Sequence, residues 1–294
     1  MISGPWRRTV WEQNGAPTCY IFAEEHENKG SCPHAIDIST LTRDIIHNTE
    51  GVHVFIEHFI HAMDITHLQT AKAEHEVCSA KPKAILNNLR NCLQVIRVNR
   101  PGDKNRIHFI DPRMDIVCIL PDGKLFDAIS HYVKHLDQEK KNVHEALLTI
   151  YEAFIHPLLT VVPDKFGLGG RMTGVMERFT DQMTVAQKSI FYELWKTEVI
   201  QNIKNVSNIY VVMHNEHSLG KFDKLKLEYT NMVNKFMDMW TLAQIFLAEN
   251  NGMTACILYA GSLHALNLEK FIQRYGYTRT HIRSNPSLNS CLKL

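Results

Sequence analysis

The sequence predicts an α/β fold: a central mixed, mainly parallel β-sheet flanked by helices, with a large helical insertion before the last strands. Three observations predict it. Short apolar, β-branched runs alternate with helical-period segments between Thr18 and Ile110, the pattern of β-α-β units. An almost wholly helical stretch follows, from Gly123 to about Ala248. Strand character returns only at Thr254 to Ala260. Residues 1–294 therefore read as a single α/β domain, with 123–250 as a helical insertion or subdomain. A chain of this length buries most of the apolar surface of a sizeable core.

The first strand is expected at Thr18 to Ala23, aromatic and β-branched, running into the polar stretch Glu24 to Gly30. Asp37 to Thr49 carries Ile38, Leu41, Ile45 and Ile46 at helical spacing behind an Asp37 or Ser39 cap. Val52 to Glu57 is a second strand and completes a β-α-β unit. Ile60 to about Val98 is helical, with a break near Lys81-Pro82, because proline has no N–H for the preceding turn. Arg106 to Ile110 is a third strand, followed by Asp111-Pro112-Arg113. Ile116 to Leu120 is either a fourth strand or a buried connector before the turn Pro121-Asp122-Gly123. Helices are expected over Lys124 to Gln138, Val143 to Val162, Asp181 to Lys204 and Lys221 to Asn250. After the late strand the chain turns at Gly261 to His264, enters a helix from Leu268 to Tyr275 capped by Gly276, and closes with an edge strand from Tyr277 to Ile282.

Charge excludes some classes of partner. The 32 Lys and Arg nearly balance the 31 Asp and Glu, for a net charge of +1, so no global field draws the chain to nucleic acid or an anionic membrane. The Arg279, His281, Arg283 cluster is too short to argue otherwise. No apolar run approaches the roughly 20 residues of a membrane span, and Met1 to Val10 has no signal-peptide apolar region. The 7 cysteines form no CxxC pair, which suggests free thiols in a reducing, cytoplasmic setting.

In open α/β sheets, ligands gather outside the carboxyl ends of the strands. Four expected strands deliver polar residues there: Glu24 and His26, Glu57 and His58, Asp111 and Arg113, and His264. The first and last share a small-x-x-His pattern, Ala23-Glu24-Glu25-His26 and Gly261-Ser262-Leu263-His264. A small residue permits a sharp turn and close approach of a ligand, and the imidazole three positions later can point back over the strand end. Imidazoles and carboxylates so gathered suit general acid/base catalysis or an open divalent metal site.

These motifs resemble the TIKI/TraB/ChaN superfamily, which includes erythromycin-esterase-like proteins. That family has a strand followed by G-E-x-H or GxxH, a glutamate after the second strand, a helical middle and a late strand with GxxH. Ala23 stands here where the family has glycine, and the helical middle, Gly123 to Asn250, aligns with no one member. The resemblance implies a hydrolase acting on a small-molecule or peptide substrate, with Glu24, His26, Glu57 and His264 forming the site. His26 would be the general base or a metal ligand and His264 its counterpart, while Glu24 and Glu57 hold water or metal. His26, Glu57 and His264 would be the ligands of a divalent ion, and Arg113 would stabilise a developing oxyanion. The runs Tyr20 to His26, Phe109 to Arg113 and Leu258 to His264 are also similar to uncharacterised proteins of large DNA viruses, which implies host cytoplasm or a virion as the location.

Other readings of the same residues stand beside these. His26 and His264 read also as unrelated loop histidines, Glu57 as the N-cap or first-turn carboxylate of the next helix, and Asp111-Pro112-Arg113 as a turn closed by a surface ion pair. His53, His58, His61 and His67 read as packed or solvent-tipped histidines rather than a separate metal site, since no HExxH spacing accompanies them. Phe166 to Gly170 lacks a P-loop lysine and reads as a hinge or lid. Two other functions are therefore carried with the hydrolase: a non-catalytic structural or virion-associated protein retaining this fold, and a small-molecule or metallocofactor binder.

Overall fold

The computed structural model describes residues 2–3, 5–24, 36–59, 74–79, 85–112, 123–138, 142–156, 179–284 and 291–292. These residues form two compact units, one of Met1–Asp111 with Thr241–Leu294, the other of Pro112–Trp240.

The first unit holds strands β1 (Ile2–Ser3), β2 (Arg7–Glu12), β3 (Thr18–Glu24), β4 (Ile36–Asp37), β5 (Val52–Phe59), β6 (Ile107–Asp111), β7 (Ala255–Gly261), β8 (Thr278–Ser284) and β9 (Cys291–Leu292). Six of them make the sheet β6-β5-β7-β3-β2-β8; β4, β1 and β9 make a small separate one. β3, β7, β5 and β6 run parallel, and β2 and β8 add antiparallel pairs, so the sheet is mixed and mainly parallel, as the sequence predicts. Its helices before Asp111 include α1 (Ile38–Asn48), α2 (Glu74–Ser79) and α3 (Ile85–Asn99).

The other unit contains α4 (Gly123–Gln138), α5 (Val143–Ile150), α6 (Val185–Leu194), α7 (Gln201–Asn215) and most of α8 (Phe222–Asn250), whose residues from Thr241 belong to the first unit. α5 and α6 each run on into a π-helical turn, Tyr151–Ile155 and Trp195–Ile200. Thr184 and Gln187 close a capping box at the start of α6, which satisfies two otherwise orphaned amides. Phe154 and Tyr229 meet edge to face at 5.1 Å in this unit's core, and Trp195 meets Phe236 likewise at 5.7 Å. Back in the first unit, α9 (Ser262–Arg274) follows β7.

Strand alternation decides which layer each face meets. Val52, Val54, Ile56, Ile107, Phe109, Ile257, Tyr259 and Phe22 form one core with Ile38 and Ile46 of α1 and Leu89, Leu93 and Ile96 of α3. Each such side chain contributes about 1.5–3 kcal/mol by leaving water. The opposite face meets α9: Glu269 accepts from Arg7 Nη2 and from Thr9 Oγ1, both at 2.7 Å, and Trp11 Nε1 donates to Thr9 Oγ1 at 3.0 Å.

Local signals account for most element ends. Asp37 caps α1 by accepting from Ser39 N at 2.8 Å. Gly276, at φ +108, ends α9 with Tyr277 N donating to Ile272 O and Gly276 N to Gln273 O, both at 3.1 Å, a Schellman arrangement. The closing edge strand forms as expected, paired with β2.

The structure also departs from the sequence reading. β2 was not anticipated, although Arg7 to Glu12 pairs with β3 through a turn at Asn14-Gly15, where Gly15 has φ +78. Asn-Gly between two such runs is a hairpin signal. α9 starts at Ser262 rather than Leu268, which lifts His264 out of the expected loop into the first helical turn. Cys78 and Cys92, read as free thiols, are joined in a disulfide with Cα atoms 4.7 Å apart. Docking of α2 on α3 makes that pair, and linear spacing carries no sign of it. Cys19 and Cys256 are unbridged and buried. The segment Ile116 to Leu120, the break at Lys81-Pro82 and the glycine-rich Phe166 to Gly170 lie outside the described residues.

Candidate active site

The parallel register brings four strand ends level. Glu24 of β3 pairs with Gly261 of β7, Ile56 of β5 pairs with Tyr259 of β7, and Asp111 of β6 pairs with Phe59 of β5. Glu24, Glu57, Asp111 and His264 are all buried at this carboxyl edge, 2–5% exposed. His26 and Arg113 lie outside the described residues, and so do His61 and His67.

The two glutamates leave the sheet on opposite sides. Glu24 continues the face of Phe22, which meets α1 and α3, and its Oε2 accepts from the hydroxyl of Tyr259 on the same face at 2.8 Å. Glu57 is turned the other way, next to Ile56, and its Oε2 accepts from Gly261 N at 2.8 Å. Gly261 is the N-cap residue of α9 and offers no side-chain cap, so the Glu57 carboxylate holds that end of the helix from a neighbouring strand. In the sequence Glu57 reads also as the N-cap or first-turn carboxylate of the helix that follows it. The helix it holds is instead α9, brought alongside by the fold.

A short chain of hydrogen bonds ties the N-terminal segment to the same place. Trp6 Nε1 donates to Ser262 Oγ at 2.9 Å, and Ser262 Oγ donates to the backbone oxygen of Glu24 at 2.9 Å. His264, two residues on, occupies the third position of α9 and is buried.

Burial, together with the negative charge of Glu24, its hydrogen bond and Asp37, pushes the Tyr259 hydroxyl well above its ordinary pKa, so it remains a donor. His58, two residues beyond Ile56, meets the Gln94 amide of α3 at 2.8 Å and the edge of the Phe109 ring, with ring centroids 4.9 Å apart. Burial first and Arg90 second lower its pKa to about 4, against an opposing pull from Asp111. His53 Nδ1 and His108 Nε2 lie 2.9 Å apart, and His108 stacks on Phe55 at 4.4 Å. Burial and Arg106 lower His53 to about 4, while burial, His53 and Arg97 lower His108 to about 3. His53 and His58 are thus packed, hydrogen-bonded histidines, as their sequence context suggests.

Tyr259, Ser262 and Trp6 were missed by sequence reasoning. Tyr259 carried a usable signal: it stands two residues before Gly261, hence on a defined face of a strand whose end was already singled out. Trp6 carried none, because its partner is far away in the chain. Among the described residues no group of three or more His, Cys, Asp and Glu side chains is arranged to hold a metal ion, and no helix is long and apolar enough to cross a membrane.

In comparisons with known proteins, no protein-family model, curated protein or solved structure matches the chain.

Proposed function

We propose that the chain is a hydrolase of the TIKI/TraB/ChaN and erythromycin-esterase type, acting on a small-molecule or peptide substrate at the carboxyl edge of its parallel strands. The observation that carries this reading is the register that sets Glu24 against Gly261 while Glu57 accepts from the amide of the same Gly261. Two carboxylates and the α9 turn bearing His264 thereby gather at one edge, the place where open α/β sheets bind ligands. In this reading His26 and His264 serve as acid and base, Glu24 holds the attacking water, Glu57 fixes the α9 turn that carries His264, and the resemblance assigns the developing oxyanion to Arg113. The donor set of His26, Glu57 and His264 suits a divalent ion, which would supply an acidified water when bound. On this reading the place of action is the host cytoplasm or the virion.

The test is hydrolysis of a panel of aryl esters, lactones and short peptides by the purified full chain, alone and with Mn²⁺, Co²⁺ or Zn²⁺. Turnover is expected that falls at least ~100-fold in Glu24→Gln and in His264→Ala, an acid/base-sized effect, with melting temperatures kept within a few degrees of wild type. An inert panel, or variants that lose activity only because they unfold, would sink the reading.

One observation favours a second reading. Glu24 and Glu57 already accept from the protein's own donors, Tyr259 and Gly261 N. Such hydrogen bonds are also what a non-catalytic, structural descendant of the fold requires of its buried carboxylates. In that case Glu24→Gln and Glu57→Gln lower the melting temperature and change no activity.

A further inference from the structure

We propose that Tyr259 is the positioning residue of this site: its buried hydroxyl holds the Glu24 carboxylate in one orientation. The inference rests on the hydrolytic reading, in which Glu24 holds the attacking water. It names a residue that this reading does not use.

The geometry for the role is built into the centre of the sheet. β7 lies between β3 and β5, so Tyr259 pairs with Phe22 on one side and Ile56 on the other, and is flanked by strands on both sides. The ring is 1% exposed and belongs to the core that α1 and α3 cover. Glu24, two residues past Phe22, presents Oε2 to the Tyr259 hydroxyl at 2.8 Å. A hydrogen bond from a neutral donor to a carboxylate is shorter and stronger than one between neutral groups, and a donor held by core packing adds little orientational freedom. A hydroxyl can accept as well as donate. Here burial first, and then the acidic groups acting on it, Glu24 on β3 and Asp37 at the start of α1, keep the proton on Tyr259. Tyr259 is therefore not itself an acid or base at neutral pH. It acts through Glu24.

Chain architecture gives the arrangement a second support. Ser262, three residues after Tyr259, donates to the Glu24 backbone oxygen, so the same strand-to-helix turn grips both the main chain and the side chain of Glu24. A tyrosine placed only to fill the core has no need of the hydroxyl, and phenylalanine would serve as well.

The test compares Tyr259→Phe, Glu24→Gln and the double variant in the full chain, with the hydrolysis assay as one readout. A second readout is the ¹H resonance of the buried Tyr259 hydroxyl, which exchanges slowly when hydrogen-bonded. Tyr259→Phe is expected to lower kcat roughly 10–100-fold with KM within about threefold. The double variant should be no worse than Glu24→Gln alone, since the tyrosine acts only through the carboxylate. In Glu24→Gln the hydroxyl resonance should move upfield as the charged acceptor is lost. Wild-type-like kcat in Tyr259→Phe, in a chain that does hydrolyse substrate, would overturn the positioning role alone. A chain without hydrolysis removes the hydrolytic reading and this role together, leaving the hydroxyl resonance as the mark of a packing hydrogen bond.

Discussion

Glu269→Ala probes the contact that fastens α9, and with it His264, to the sheet. Glu269 is 5% exposed and accepts from Arg7 Nη2 and Thr9 Oγ1, each at 2.7 Å, with Trp11 Nε1 behind Thr9 at 3.0 Å. The side chains of the ion pair are 9% and 7% exposed, so solvent screens it little. Truncating the carboxylate strands the Arg7 guanidinium in a dry interior and leaves the Thr9 hydroxyl without its acceptor. Removing one partner of a buried pair costs about 3–5 kcal/mol. At roughly 2–4 °C per kcal/mol for a unit of this size, the melting temperature should fall by roughly 10 °C. Circular dichroism melts and urea titrations of wild type and variant measure this directly. The double variant Arg7→Met/Glu269→Leu should recover most of the loss, because a well-packed apolar pair removes the buried charge as well as its partner. A loss under about 1 kcal/mol for Glu269→Ala, or a double variant as unstable as the single one, would refute the argument that the stranded charge dominates.

Three further outcomes follow from the structure. His53, His58 and His108 have folded-state pKa values near 4, 4 and 3, below the ordinary 6.5, so the unfolded chain binds more protons. The stability they contribute is complete above about pH 6.5 and drains away as pH falls toward 4; urea midpoints at several pH values should show this slope flattened in His108→Gln, and an unchanged slope would count against it. Gly51 sits at φ +72 with an added Cβ only 2.5 Å from Thr254 Oγ1, so Gly51→Ala should destabilise by about 1–3 kcal/mol in a thermal melt, and a neutral result would contradict the geometry. Asp37→Ala removes the α1 cap at Ser39 N and should cost about 1 kcal/mol, whereas Asp37→Ser should restore most of it; equal losses in both would argue against capping.

The sequence alone determined the strands that are apolar on both faces, because a run such as Val52 to Glu57 has no other stable home than the middle of a parallel sheet. It also determined the helix starts that carry their own cap, as at Asp37, and the close of α9 at Gly276, since these signals lie within a few residues of what they control. The gathering of Glu24, Glu57 and His264 at one edge was legible for the same reason: each follows an apolar run, and parallel strands end together. Only the tertiary structure decided where those side chains turn. Placing β7 between β3 and β5 gave Glu24 its Tyr259 and Glu57 its Gly261 amide, contacts that span 235 and 204 residues of chain. It likewise joined Cys78 to Cys92 and began α9 early enough to bury His264. Periodicity states which way a side chain leaves its own strand. The neighbour it meets there is set by strand order, and strand order depends on how all the segments bury their apolar faces at once.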